Sequence, residues 1–187
     1  MADTKTKILD VAEELIQSVG MNAMSYKHIS DVVGIRKASI HHHFPKKEDL
    51  VDELLQRCQV SYGESYTSIV EGQYSAPEKL KKLAGVFQHG LINNKLCLVG
   101  SISTDKNTLQ DSSCLILEKN ITNTVKIFSK VFKQGKEEHT LSFIGTESEA
   151  AYTYLSFLIG TQIVARANGG EELFEHAAEI VIAAFKS

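Results

Sequence analysis

Met24-Ser25-Tyr26-Lys27-His28-Ile29-Ser30-Asp31-Val32-Val33-Gly34-Ile35-Arg36-Lys37-Ala38-Ser39-Ile40-His41-His42-His43-Phe44-Pro45 reads as two short helices joined by a tight turn. Ser25 is placed to cap the first, its hydroxyl accepting from the free amides of the opening turn. Ile29, Val32 and Val33 give that helix one apolar face. Gly34 can take the left-handed conformation that ends a helix and turns the chain. Ile35 then pins the turn, and a second helix is predicted from about Lys37 to His43. Ala38 and Ile40 are expected to face inward, the small Ala38 letting the two helices approach closely. Such a pair is a helix-turn-helix, whose second helix is shaped for a DNA major groove.

The second helix offers donors and cations outward: Arg36, Lys37, Ser39, His41, His42 and His43. Residues 25–47 hold five basic residues (Lys27, Arg36, Lys37, Lys46, Lys47) and one acid, Asp31, whereas the whole chain carries a formal charge of -3. A local basic face on an acidic chain is the footprint of a phosphate-binding surface.

The run Ile35 to Asp49, Ile-Arg-Lys-Ala-Ser-Ile-His-His-His-Phe-Pro-Lys-Lys-Glu-Asp, together with the stretch from about Lys7 to Leu50, resembles the N-terminal domain of the TetR family of one-component transcriptional repressors. The resemblance implies that Ser39, His41 and His42 reach base edges. It implies that Lys37, His43 and Lys47 hold phosphates, and that Ser25 and Tyr26 touch the DNA backbone from the preceding helix. The family usually has tyrosine where His41 and His43 stand, so the groove contacts here are smaller and more polar.

The other helices follow from apolar spacing. The first is predicted over about Thr4 to Val19, with Ile8, Val11, Ala12, Leu15, Ile16 and Val19 as its core stripe and Gly20 as its stop. A fourth opens at Pro45-Lys46-Lys47-Glu48-Asp49, whose acids suit the helix dipole, and runs to about Glu71. It is the natural lever between head and body. Pro77 opens a fifth to about Ile92. A short apolar sixth spans Leu96 to Ile102, and a seventh spans Thr108 to Gln134, followed by a charged loop from Gly135 to Leu141. Two more run from about Thr146 to Ala167 and from Gly170 to Lys186. The expected fold is therefore all-α: a helix-turn-helix domain over residues 1–47 and a helical regulatory and dimerisation domain over 48–187.

The final hairpin is apolar nearly all round, which asks for cover on more than one side. A two-fold homodimer through residues 146–186 supplies it, as the resemblance also implies. A signal site is expected among Tyr62, Tyr66, Phe87, Leu91, Phe128, Tyr152 and Phe157, with His89 and Gln162 as polar anchors. Each of these also fits an ordinary core position. Cys97, in Cys-Leu-Val-Gly-Ser-Ile-Ser, resembles the motif of a TetR subgroup released by electrophiles. Lys95 and a helix start nearby would favour its thiolate. A small buried hydrophobe is the alternative, and Cys58 and Cys114 read as core.

Several classes find no support. No run approaches the ~20 apolar residues that span a bilayer, so no membrane partner is expected. The N-terminus lacks an apolar signal core, and three scattered cysteines fit reduced thiols; both point to the cytoplasm. Three consecutive histidines cannot face one ion from one helix, and no metal or cofactor motif occurs. No nucleophile–base spacing argues for an enzyme. The expectation is a repressor that binds double-stranded operator DNA and is released by a small molecule or electrophile. The rival readings are a small-molecule-binding helical protein that has lost DNA binding, and an enzyme.

Overall fold

The computed structural model describes residues 3–186; the domain limits expected at Met1 and Ser187, and the start of the N-terminal segment, lie outside them. Nine α-helices form among the described residues: α1 Thr4–Val19, α2 Tyr26–Val33, α3 Lys37–His43, α4 Lys47–Glu71, α5 Ala76–Ile92, α6 Leu98–Ser103, α7 Asp111–Glu137, α8 Glu147–Ala167 and α9 Gly170–Phe185. A 3-10 turn covers Lys106–Thr108, and a single antiparallel bridge joins Leu141 to Lys186. The all-α expectation holds.

The chain forms two compact units, one of residues 1–59 and 97–120, the other of residues 60–96 and 121–187. The first therefore takes in the start of α4, α6 and the start of α7 as well as the head expected over residues 1–47. Its core is built on Ile8, Leu9, Ala12, Ile16, Ile29, Ile40, Phe44, Leu50 and Leu54. Val19 of the expected stripe is 56 % exposed and Val11 and Leu15 are only partly buried, whereas Leu9, outside that stripe, is 6 % exposed. Asp52 of α4 fixes the start of α7, accepting from Ser112 Oγ at 3.1 Å and from the Ser113 hydroxyl. Asn120 Nδ2 closes the unit by donating to the Leu55 carbonyl at 3.0 Å.

The second unit is an aromatic core inside α5, α8, α9 and the later parts of α4 and α7. Phe132 meets Phe143, Tyr154 and Phe185 at 5.1–6.1 Å, and Tyr154 is buried with its hydroxyl donating to the Leu80 carbonyl at 2.8 Å. Capping boxes start two of these helices. The Ser75 amide donates to Glu78 Oε2 at 2.9 Å, and the Thr146 amide to Glu149 Oε2 at 2.7 Å, reciprocal caps that the sequence reading passed over. The Ser75 hydroxyl and then its amide hold the Glu78 carboxyl pKa below its ordinary value, and the Thr146 amide and then its hydroxyl do the same for Glu149.

Where a loop was expected from Gly135, α7 continues to Glu137. The amides of Thr140 and Leu141 then return to the Gly135 carbonyl at 2.8 and 3.1 Å, so the chain folds Leu141 back over the glycine. A Cβ on Gly135 would lie 2.4 Å from Leu141 Cδ1. Overpacking of this kind costs about 1–3 kcal/mol. Gly135→Ala is therefore expected to lower the unfolding free energy read from urea titration by that amount, and an unchanged value would show that Leu141 moves aside freely.

Candidate nucleic-acid interface and sensing region

The head is set by backbone geometry. Ser25 sits extended (φ -137°, ψ 157°) and its hydroxyl accepts from the His28 amide at 3.3 Å. Gly34 is left-handed (φ 74°, ψ 32°), with its own amide and that of Ile35 both returning to the Ser30 carbonyl. A side chain here would strain the backbone by about 1–2 kcal/mol. The turn then launches α3, whose one buried residue is Ile40. Arg36, Lys37, Ser39, His41 and His42 are exposed and His43 is partly so.

Three sequence expectations change here. Ala38 is exposed rather than inward, so Ile40 is the one buried residue of a seven-residue helix. Val32 is 65 % exposed, because the buried side of α2 passes through Ile29 and Ser30. Tyr26 is committed to the fold: its hydroxyl lies 2.9 Å from the Phe44 carbonyl and 2.7 Å from that of Lys46. Its single hydrogen is thereby used, and phosphate oxygens only accept. Burial first, then Asp49 and Glu48, push the phenol up to about 12, so it stays neutral. Ser25 keeps its hydroxyl hydrogen available, since its oxygen serves the cap as acceptor.

Lys47 is likewise engaged. Its Nζ donates to the Met21 and Met24 carbonyls at 2.6 and 3.0 Å, tying the start of α4 to the loop between α1 and α2. Desolvation lowers its pKa, against the opposing pull of Asp105 and Glu48. One N–H of the ammonium remains for a phosphate. The same loop is held from the other side by Asp105, which follows α6: Asn22 Nδ2 donates to Asp105 Oδ1 at 2.8 Å, and the Asn22 amide to Oδ2 at 3.3 Å. Neither Asn22 nor Asp105 stood out in the sequence; a contact across 83 residues leaves no local signal.

Cys97 is the N-cap of α6, its Sγ accepting from the Gly100 amide at 3.1 Å. That amide favours a thiolate, but dense surroundings outweigh it and push the thiol up to about 11. Cys97 is half-buried by exposed surface, and desolvation there outweighs the Gly100 amide. Cys58, in the core of the same unit, is pushed up to about 12, by burial first, then Glu13 and Cys97. Cys114 is partly exposed.

The expected signal pocket is mostly packed core. Tyr66 stacks on Phe87 at 6.3 Å and meets Phe128 edge-on at 5.1 Å, with Tyr62 at 6.1 Å. Leu91 is buried, and Phe157 stacks on Tyr154 at 6.4 Å. Gln162 is buried with Nε2 donating to the Phe87 carbonyl at 2.7 Å. His89 and Tyr152 face solvent and line no interior. A cleft of about 420 Å³ lies elsewhere, over Ala84, Gly85, Phe174, Ala178 and Ile182 between α5 and α9, rimmed by Lys81 and Glu179.

A left-handed glycine turn, an inward isoleucine and an outward polar face define a helix-turn-helix regulator. Residues 8–54 match the family described as bacterial regulatory proteins, tetR family. The HTH-type transcriptional repressor NemR of Escherichia coli (strain K12) is 23 % identical over 181 residues, 94 % of this chain and 90 % of that protein. A TetR family transcriptional regulator from Agrobacterium tumefaciens superposes with a TM-score of 0.92 at 25 % identity, covering 98 % of this chain and 97 % of that one. A TetR transcriptional regulator from Legionella pneumophila gives 0.89 at 28 % identity, covering 100 % and 99 %. Residues 8–54 thus carry the tetR-family domain, and the whole chain is similar in fold to TetR-family transcriptional regulators.

Among the described residues no helix is long and apolar enough to cross a membrane.

Proposed function

We propose that this protein is a homodimeric repressor of the cytoplasm that grips operator DNA with α3 and lets go when a small molecule or electrophile binds its regulatory part. The observation that carries the reading is α3 itself: Ile40 is its one buried residue, while Arg36, Lys37, Ser39, His41 and His42 are exposed. In this reading residues 1–47 are the DNA-binding domain and 48–187 the regulatory one. Lys37 and the remaining N–H of Lys47 hold phosphates, while Arg36, Ser39 and His42 approach the groove and His43 supports them. Dimerisation falls to α8 and α9. Tyr152, Ser156, Gly160, Ile163, Val164 and Ala167 are all exposed and recur at helical spacing along α8, which supports a second copy as their cover.

A route for the signal is supported inside one compact unit. Cys97 caps α6, α6 leads to Asp105, and Asp105 holds the loop that enters the helix-turn-helix. An adduct on Cys97 forms a carbon bond to the sulfur that caps α6 as the thiol proton leaves, adding bulk at that cap. It releases DNA only so far as it is better tolerated in the non-binding arrangement. NemR, the relative above, is named a repressor, and the cysteine motif shared with an electrophile-responsive subgroup favours the same direction.

The test is a fluorescence-anisotropy titration against the promoter region beside this protein's own gene, repeated over salt. Binding whose logarithm falls linearly with log salt is expected; no binding at low salt would overturn the reading. Cys97→Ser keeps an effective N-cap. It is expected to bind the same DNA within about twofold and to stay bound under N-ethylmaleimide that releases the wild type. Equal release of both proteins would remove Cys97 from the mechanism.

A further inference from the structure

We infer that His41 reads a base bearing an amino group on its major-groove edge, adenine or cytosine, through the lone pair of Nε2. The inference rests on the DNA-binding reading above and deepens it. His41 Nδ1 lies 3.3 Å from the carbonyl oxygen of Pro45. A carbonyl oxygen can only accept, so the hydrogen of the neutral ring must sit on Nδ1. Nε2, on the opposite edge of the ring, is then a bare acceptor.

The ring plane is fixed as well. Tyr26 meets His41 edge-on at 4.9 Å, and Tyr26 is itself held by the Phe44 and Lys46 carbonyls. His41 remains exposed, so the ring is open to a duplex while Nδ1 and Tyr26 restrain it from the protein side. His42 and His43 instead touch each other, at 5.5 Å, without a comparable carbonyl partner among the described contacts.

In the major groove adenine presents its N6 amino group and cytosine its N4 amino group, whereas guanine shows only N7 and O6 and thymine only O4 and a methyl. An acceptor matches the first two and is repelled by the acceptors of the others. A donor-only side chain at the same place makes the opposite choice.

Site selection from a random duplex library tests this. It is run with the full-length wild type, His41→Ala and His41→Arg at pH 8, above the ordinary range of imidazole protonation. One position in each half-site is expected to take adenine or cytosine with the wild type, to be indifferent with His41→Ala, and to turn to guanine with His41→Arg. Replacing that adenine by purine, or that cytosine by 2-pyrimidinone, removes the amino group. This is expected to weaken the wild type about 5- to 150-fold, the range for one good base contact, and to leave His41→Ala unchanged. Scanning the same analogues through every adenine and cytosine of the selected site with the wild type alone gives a readout that needs no variant. The inference is overturned if no position depends on His41, if no amino-deleted analogue on either strand costs the wild type affinity, or if the analogue that does costs His41→Ala as much. A library that enriches nothing with any of the three proteins overturns the DNA-binding reading itself.

Discussion

Ile40→Ala is expected to abolish operator binding and to cost the protein about 2–5 kcal/mol, the usual range for emptying a fully buried isoleucine site. The size of the effect follows from the brevity of α3. Helices shorter than about 12–15 residues are marginal on their own in water, and α3 has seven. Ile40 is fully buried and is the one buried residue of that helix. The turn at Gly34 and the Tyr26 hydroxyl fix the two ends of the segment, but neither holds its axis against the core. With the side chain cut to a methyl, α3 loses its anchor and its polar face loses a defined direction. His42→Ala is the control, because an exposed histidine can be removed with a stability change within about ±0.5 kcal/mol. The measurements are urea unfolding followed by circular dichroism and anisotropy on the selected operator. An Ile40→Ala protein that binds within tenfold of the wild type would show that α3 is held by something other than this contact.

The helix-turn-helix was legible because its signals are local. Ser25 capping and the positive φ of Gly34 are properties of single residues and their nearest neighbours, and both appear as expected. The ends of α1, α4 and α9 were similarly readable from apolar spacing and glycines. What failed was anything decided by partners distant in the chain. Ala38 looked inward by composition, yet the path of α3 over the head leaves it in solvent. Gly135 looked like a helix stop, but Leu141 folds over it and the helix continues. Tyr26 looked like a phosphate contact by resemblance, and its single hydroxyl hydrogen is engaged by backbone carbonyls of the head, whereas Lys47 has two N–H donors so engaged and keeps a third. Cys97 shows the same limit in electrostatics. The sequence displays a neighbouring lysine and a helix start, whereas the density around the sulfur, which sets its protonation, emerges only from the fold. The aromatic residues proposed as a pocket illustrate how apolar spacing marks burial without saying whether a cavity is left.

Ile180→Asp is expected to leave the single chain folded but to split the dimer and weaken operator binding by about 10²–10⁴, the range set by losing a second tethered contact. Ile180 is 57 % exposed on α9, and Ile163, Val164 and Tyr152 are 40 %, 56 % and 58 % exposed on α8. Large apolar side chains this open contribute little to the chain that bears them, so a change at Ile180 should move its intrinsic stability by no more than a surface substitution does. The small residues Ser156 and Gly160 lie within the α8 stripe, and a Cβ on Gly160 would meet nothing within 4 Å. That flat, open stretch admits a close helix from another molecule. In a two-fold interface the same patch faces itself, so one substitution places two carboxylates in one apolar contact. Burying an unpaired carboxylate costs several kcal/mol, and here the charge appears twice. Two heads on one duplex also require a fixed half-site separation of about 34–36 Å or a multiple, which a monomer cannot supply. Sedimentation velocity at micromolar concentration and anisotropy on the selected operator, run on the same preparation, read the two effects separately. A variant that remains dimeric would place the interface on another face. A variant that becomes monomeric yet binds with wild-type affinity would mean that each head recognises DNA alone.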